Sequence, residues 1–165
     1  MSRCLPNEVR ILRDQRFVAE HRGGPLSMHN HQLMALWAVE CTEHVLSAFW
    51  KADNDQRTFD ALRQARAWAK GEISVGDARQ AAVAAHAAAR ESKDAAATAA
   101  ARAAGHAAGT AHMADHCLRA AGYSLKAAEH GGMNTEQERQ WQDQKLPVSI
   151  QDLVTSARAC QRLFA

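Results

Sequence analysis

Apolar residues recur along most of this chain at steps of three and four, the period of a helix with one buried face. The first clear run follows Pro25: Leu33, Leu36, Trp37, Cys41 and Ala48 share a stripe that Leu46 and Phe49 widen. Ser27 is a natural N-cap, and the spacing predicts a helix from there to about Lys51. A second stripe, Phe59, Leu62, Ala65 and Ala69, follows the turn and cap Asp53-Asn54-Asp55 and stops at Gly71, the residue type that closes helices in the left-handed conformation. Ser74 and Asp77 resemble a capping box, with Asp in the usual Glu place, and open a third helix to about Ser92. Asp94 caps a fourth, read as one long helix from about Ala95 to about His130, where Gly131-Gly132 ends it. Thr135 with Glu138 reads as another capping box, for a short helix around Trp141 that Pro147 breaks. Ser149 and Asp152 open the last, with Leu153, Ala157, Cys160 and Phe164 as its stripe. No alternating β-branched pattern appears. The prediction is an all-α, single-domain antiparallel bundle of about five to six helices over residues 27–165, after an irregular lead segment 1–26 in which Ile11–Val18 fits a short helix or an extended piece equally well.

Composition changes the character of this bundle. Much of its apolar content is alanine, concentrated in AAVAAHAAAR (81–90) and AARAAGHAAGTAHMADH (100–116). Alanine is the strongest intrinsic helix former, and its small side chain lets helix axes approach closely. A chain of 165 residues suits one domain with a sizeable core. Net charge is +2 with acids and bases interleaved, the pattern of solvated helix faces and not a nucleic-acid footprint. No apolar stretch reaches membrane-spanning length, and the opening MSRCLPNEVR lacks the apolar run of a signal peptide. The four cysteines, Cys4, Cys41, Cys117 and Cys160, form no Cys-x-x-Cys pair and read as reduced thiols of a cytoplasmic protein.

Candidate chemistry gathers on histidines. On the long fourth helix Gly105, Gly109, His112 and His116 would share one face, and His106, Thr110, Met113 and Cys117 a second. Two glycines inside a helix cost roughly 1 kcal/mol each against alanine, so close approach of a neighbouring helix is expected there. Trp37, Glu40, Cys41 and His44 share a face of the first helix, and His86 lies midway along the third. The preferred reading is a structural polar core of Trp37, Glu40, His44, His86, His106, His112 and His116, each imidazole bonded to a carbonyl or carboxylate. The alternative is a metal site of Glu40, His44, His112 and His116, since histidines at i,i+4 can chelate one ion. Glu40 stands four residues before His44, whereas a di-iron bundle uses Glu-x-x-His. No His-Glu-x-x-His, Gly-x-Ser-x-Gly or complete phosphate loop occurs, so neither catalytic residues nor a cofactor are expected. Trp50 and Trp141 lie near helix ends and are candidate partner contacts.

The strings ALWAVECTEHVL (35–46), ARAWAKGEISVGDAR (65–79), AHAAARE (85–91), AAGHAAGTAHMADH (103–116) and YSLKAA (123–128) resemble a family of bacterial immunity proteins, those with the five-like immunity domain. The lead LRDQRFVAEHRGG (12–24) and the tail RQWQDQKLPVSIQDLV (139–154) are similar to its longer members, whereas Gly109 and Gly122 stand where alanine is expected. The resemblance implies an antidote that binds a cognate toxin protein inside the producing cell, with no catalytic residues, no nucleic acid and no membrane. Many such toxins are basic nucleases, which an acidic surface would suit; Asp53–Asp60 and Glu136–Asp143 are the candidate acidic faces.

Overall fold

The computed structural model describes residues 13–48 and 55–163, the last three by backbone alone. Among the described residues seven helices follow in chain order: α1 (Met28–Ala48), α2 (Gln56–Ala69), α3 (Val75–Glu91), α4 (Ala95–Gly109), α5 (His116–His130), α6 (Thr135–Gln144) and α7 (Val148–Leu163). Two 3-10 turns, Gln15–Phe17 and Glu20–Arg22, precede them. Among the described residues there is no strand, only an isolated bridge between Ala19 and Leu26. The fold is all-α, with one helix more than the upper end of the sequence reading.

Most ends follow local chemistry. Ser27 Oγ accepts from the Asn30 N–H at 3.1 Å. Asp55 and Asp94 cap α2 and α4 through the Arg57 and Ala97 N–H groups. Ser74 and Asp77 form both bonds of a capping box. Gly71 closes α2 at φ 76°, where a side chain would be strained. Two starts differ from the reading. Asn134, not Thr135, caps α6 by accepting from the Gln137 N–H. Glu138 turns inward to His44 instead of back to the helix start. The last helix begins at Val148, directly after Pro147.

The predicted long helix is two helices. α4 ends at Gly109, and the His112 and Met113 N–H groups both return to the Gly109 carbonyl, giving a turn over 110–115. α5 then folds back along α4. The glycine lowers helix stability at the break. A side chain from α1 supplies the rest: His31 Nε2–H donates to the Thr110 carbonyl at 2.5 Å, satisfying an acceptor that the ended helix leaves unpaired.

α4 packs against α1, α2, α3 and α5 and is the central helix. Beyond Thr98, Arg102 and His106 are its only residues that are not buried. A helix surrounded on so many sides must be slim, which is why its buried positions are all alanine or glycine. Larger side chains fill the remaining core: Trp37, Met34, Val39 and Val45 from α1, and Ile150 and Val154 from α7. Phe17 and Leu26, from the lead segment, belong to the same cluster.

Cys41 and Cys117 are free and buried, and burial pushes both thiols up. Cys160 is disulfide-bonded, which corrects the expectation of four reduced thiols and removes that argument for a cytosolic protein. Cys4, Phe49, Trp50, Asp53, Asn54 and Phe164 lie outside the described residues. Among the described residues no helix is long and apolar enough to cross a membrane.

Candidate functional site

Three helices bring three imidazoles into one cluster. His106 of α4 is its centre. Its ring meets His86 of α3 edge-on at 4.9 Å between centroids and His116 of α5 edge-on at 5.2 Å. It stacks on Tyr123 of α5 at 5.4 Å, the planes 9° apart. Two glycines make room. A Cβ on Gly105 would stand 2.7 Å from His86 Cε1, and one on Gly109 would stand 2.6 Å from His116 Nδ1. The glycines therefore do mark close approach, but what approaches is an imidazole and not a bare helix backbone.

The three residues are half-buried, and Nδ1 of each ring is buried without a hydrogen-bond partner. Burial is the main reason that all three favour the neutral form. His106 is held down to about 3, by burial first and then by His86, His116, Arg119 and Arg102. Burial, Arg102 and Arg90 lower His86. Burial lowers His116 against the pull of Asp115. A neutral imidazole can donate from only one nitrogen, so the cluster presents ring edges and faces rather than fixed charge.

A second group joins α1 to α6. His44 Nδ1–H donates to Glu138 Oε2 at 2.7 Å, and its ring lies flat on Trp141 at 3.6 Å, 6° from parallel. The Glu138 side chain is 1% exposed, and burial raises its pKa against the opposing pull of His44. Lys145 Nζ stands 5.5 Å from the Trp141 ring centre.

The neighbouring network is buried except at Asp143, whose side chain is 41% exposed. The Trp37 indole donates to the Gln142 carbonyl at 2.9 Å, Gln142 Nε2 donates to the Ala121 carbonyl, and Arg158 donates to Gln142 Oε1 at 2.7 Å and Asp143 Oδ1 at 2.6 Å. Glu138, Gln142, Arg158 and His31 were not singled out by periodicity. Polar side chains carry no apolar signal, and only the inward aim of Glu138 and Gln142, on an otherwise polar helix, distinguishes them.

Of the residues read as a polar core, Trp37 is buried and His44, His86, His106 and His116 are half-buried; His44 bonds to a carboxylate, but His86, His106 and His116 meet one another and lack the carbonyl or carboxylate partner expected of them at Nδ1. Glu40 is exposed on α1, which corrects its assignment to a core. His112 falls in the turn after α4, where its Nδ1 lies 3.5 Å from Arg22 Nη2 near solvent. The break at Gly109 separates it from the helical face it was expected to share with His116. Glu40, His44, His112 and His116 do not converge. Among the described residues no group of three or more His, Cys, Asp and Glu side chains is placed to hold a metal ion.

The helices α1 to α6, with both histidine groups, fall within one family match. Residues 24–149 fit the family model described as Imm-5 like putative immunity protein. The chain belongs to that family. No curated protein and no solved structure matches this Imm-5 like chain. The match ends at Ser149, so Arg158 and most of α7, which complete the Trp37–Gln142 network, lie beyond the Imm-5 like segment.

Proposed function

We propose that this chain is an immunity protein that binds a cognate toxin in the cell that produces it and blocks the toxin by occupying its surface. The observation that carries the proposal is the family match over residues 24–149. The fold supports it physically. An inhibitor of this kind needs a rigid scaffold that loses little freedom on binding. Packed helices around a slim alanine-lined centre supply that, and no residue need react. The proposed location inside the cell rests on this reading alone.

Trp141 is proposed as one aromatic contact. It is half-buried, and the His44 ring stacked on it holds it in one orientation, so little side-chain entropy is lost when a partner covers its edge. Trp50, outside the described residues, is proposed with it. The test is growth rescue. The chain is co-expressed with the toxin-like genes that adjoin its own, one at a time. Restored growth with one of them, together with a stoichiometric complex of the two purified proteins, is the expected result. Full toxicity of each in cells that accumulate folded antidote would overturn the proposal.

A further inference from the structure

The stretches that read as acidic faces are largely neutralised in the fold. Asp55 pairs with Arg57 at 2.7 Å, Asp60 with Arg63 at 2.6 Å and Asp143 with Arg158 at 2.6 Å. Glu138 is buried against His44. A basic toxin surface would find little uncompensated negative charge at these positions.

The opposite holds across α3, α4 and α5. Arg102 and His106 are the half-buried stripe of an otherwise buried stretch of α4, flanked by His86 and Arg90 of α3 and by His116, Arg119 and Tyr123 of α5. Arg90 lies four residues from His86 on α3, Arg102 four from His106 on α4 and Arg119 three from His116 on α5, each on the helix face of its imidazole, and the three rings meet, so the arginines border one strip of surface. None of the three has an ion-pair partner among the described residues. Of the nearest acids in sequence, Glu91 pairs with Arg57 and Asp94 caps α4, while Asp115, paired with Arg13, also acts on His116 at the edge of the strip. Lys126, its Nζ 5.2 Å from the Tyr123 ring centre, adds a fourth cation.

We infer that this strip is a second toxin-docking surface, apart from Trp141, and that its occupant is an acidic segment of the partner, whose Asp and Glu side chains pair with Arg90, Arg102 and Arg119 above a floor of imidazole edges. The inference rests on the immunity reading for the identity of the partner. Guanidinium groups gathered without counter-charges repel one another, and carboxylates from a partner relieve that repulsion while accepting bidentate hydrogen bonds. With Nδ1 of each ring buried, a carboxylate that reaches the cluster meets Nε2, which can donate once Nδ1 serves as the bare nitrogen. An acidic protein segment suits the strip better than a nucleic acid. The α4 floor is one helix of 15 residues, and net charge over the whole chain is only +2, which gives little electrostatic attraction to a long polyanion.

The test uses the full chain with carbon-13-labelled histidine rings and a short poly-L-glutamate as the probe at low ionic strength. The expected result is saturable shifts of the His86, His106 and His116 ring resonances. Binding should weaken at least about tenfold in Arg102→Glu/Arg119→Glu, and less in Arg102→Gln/Arg119→Gln. Both variants alter side chains that reach solvent, and an unchanged helical spectrum confirms that they fold. Lys145→Glu, beside Trp141, should bind the probe as the parent does. Three outcomes would overturn the inference: no histidine ring shifts, shifts of full size in both double variants, or a single-stranded RNA of equal charge binding the strip more tightly than poly-L-glutamate. Each of these leaves growth rescue by the parent chain untouched. Failed rescue beside specific poly-L-glutamate binding would remove the immunity reading and keep the acid-binding strip.

Discussion

The His86 imidazole lies directly on Gly105, with three ring atoms 2.7 to 2.9 Å from where a Cβ would stand. This contact locks α3 to α4 and sets the position of the His106 ring beside it. Gly105→Ala gains about 1 kcal/mol of helix propensity but must displace the ring, which costs about 1–3 kcal/mol. The expected net effect is a loss of about 1 kcal/mol in urea denaturation. In a His86→Ala background the same change should become stabilising. Gly122→Ala, on the exposed side of α5 with nothing within 4 Å, should stabilise by about 0.5–1 kcal/mol. A stabilising Gly105→Ala in the parent chain would show that the ring does not hold its place.

Stability should fall in acid because of the imidazole cluster. His106 is held at about 3 against an ordinary value of 6.5, and His86 and His116 are lowered too. Lowered folded values give stability that is fully present above about pH 6.5 and is lost as pH falls towards about 3, because the unfolded chain takes up protons that the folded state refuses. His86, His116, Arg102 and Arg119 all oppose a proton on His106. His106→Phe keeps an aromatic ring on Tyr123 and cannot titrate. Calorimetry across that window should show a smaller drop in Tm for this variant than for the parent; equal slopes would exclude His106 as a source.

Arg158→Met should destabilise by about 1–3 kcal/mol, because it leaves the buried Gln142 Oε1 and the Asp143 carboxylate without their donor. Arg63→Met is the control. Arg63 also pairs with an acid, Asp60, but its side chain is 67% exposed, and such pairs contribute about 0–1 kcal/mol. Comparable losses in chemical denaturation of the two variants would show that burial of the Gln142 network adds nothing.

His31→Ala removes a ring packed 4.8 Å from Trp68 and the donor to Thr110. The expected loss is about 2–4 kcal/mol, from the stranded carbonyl and the cavity together. Hydrogen exchange gives a sharper check. Protection of the amides of 110–118, around the α4–α5 turn, should drop more than that of α2. Uniform loss across all helices would mean that His31 acts on global stability and not on the turn.

Much of the helix layout was legible because caps are local. Ser27, Asp55, Gly71, Ser74, Asp77 and Asp94 act within a few residues of themselves, so their positions in the chain were sufficient. Thr135 misled for the same kind of reason. Asn134 and Thr135 are adjacent residues that both suit an N-cap, and the residue that decided between them was Glu138, drawn away to His44 on another helix. The candidate site was legible in residue type and not in grouping. His86, His106 and His116 all read as polar-core candidates, yet helical spacing puts His106 and His116 on different faces of one helix and His86 on another helix, and groups Glu40 and His112 with them. Those faces were drawn on a continuous helix that does not exist.

By itself the sequence determined that this chain is helical, where most of its helices begin and end, and that its centre is built from alanine. Periodicity, caps and helix propensity act over a few residues, so the order of amino acids is enough to express them. Tertiary structure decided the rest. A glycine weakens a helix by only about 1 kcal/mol, too little to require a break at Gly109. The chain turns there because His31 takes the Thr110 carbonyl and His116 fills the space over Gly109. The same turn leaves His112 near solvent and brings His116 to His106, and the packing of α3 and α5 against α4 gathers His86, His106 and His116 into one cluster. These relationships join residues far apart in the chain, and no local rule carries their distances.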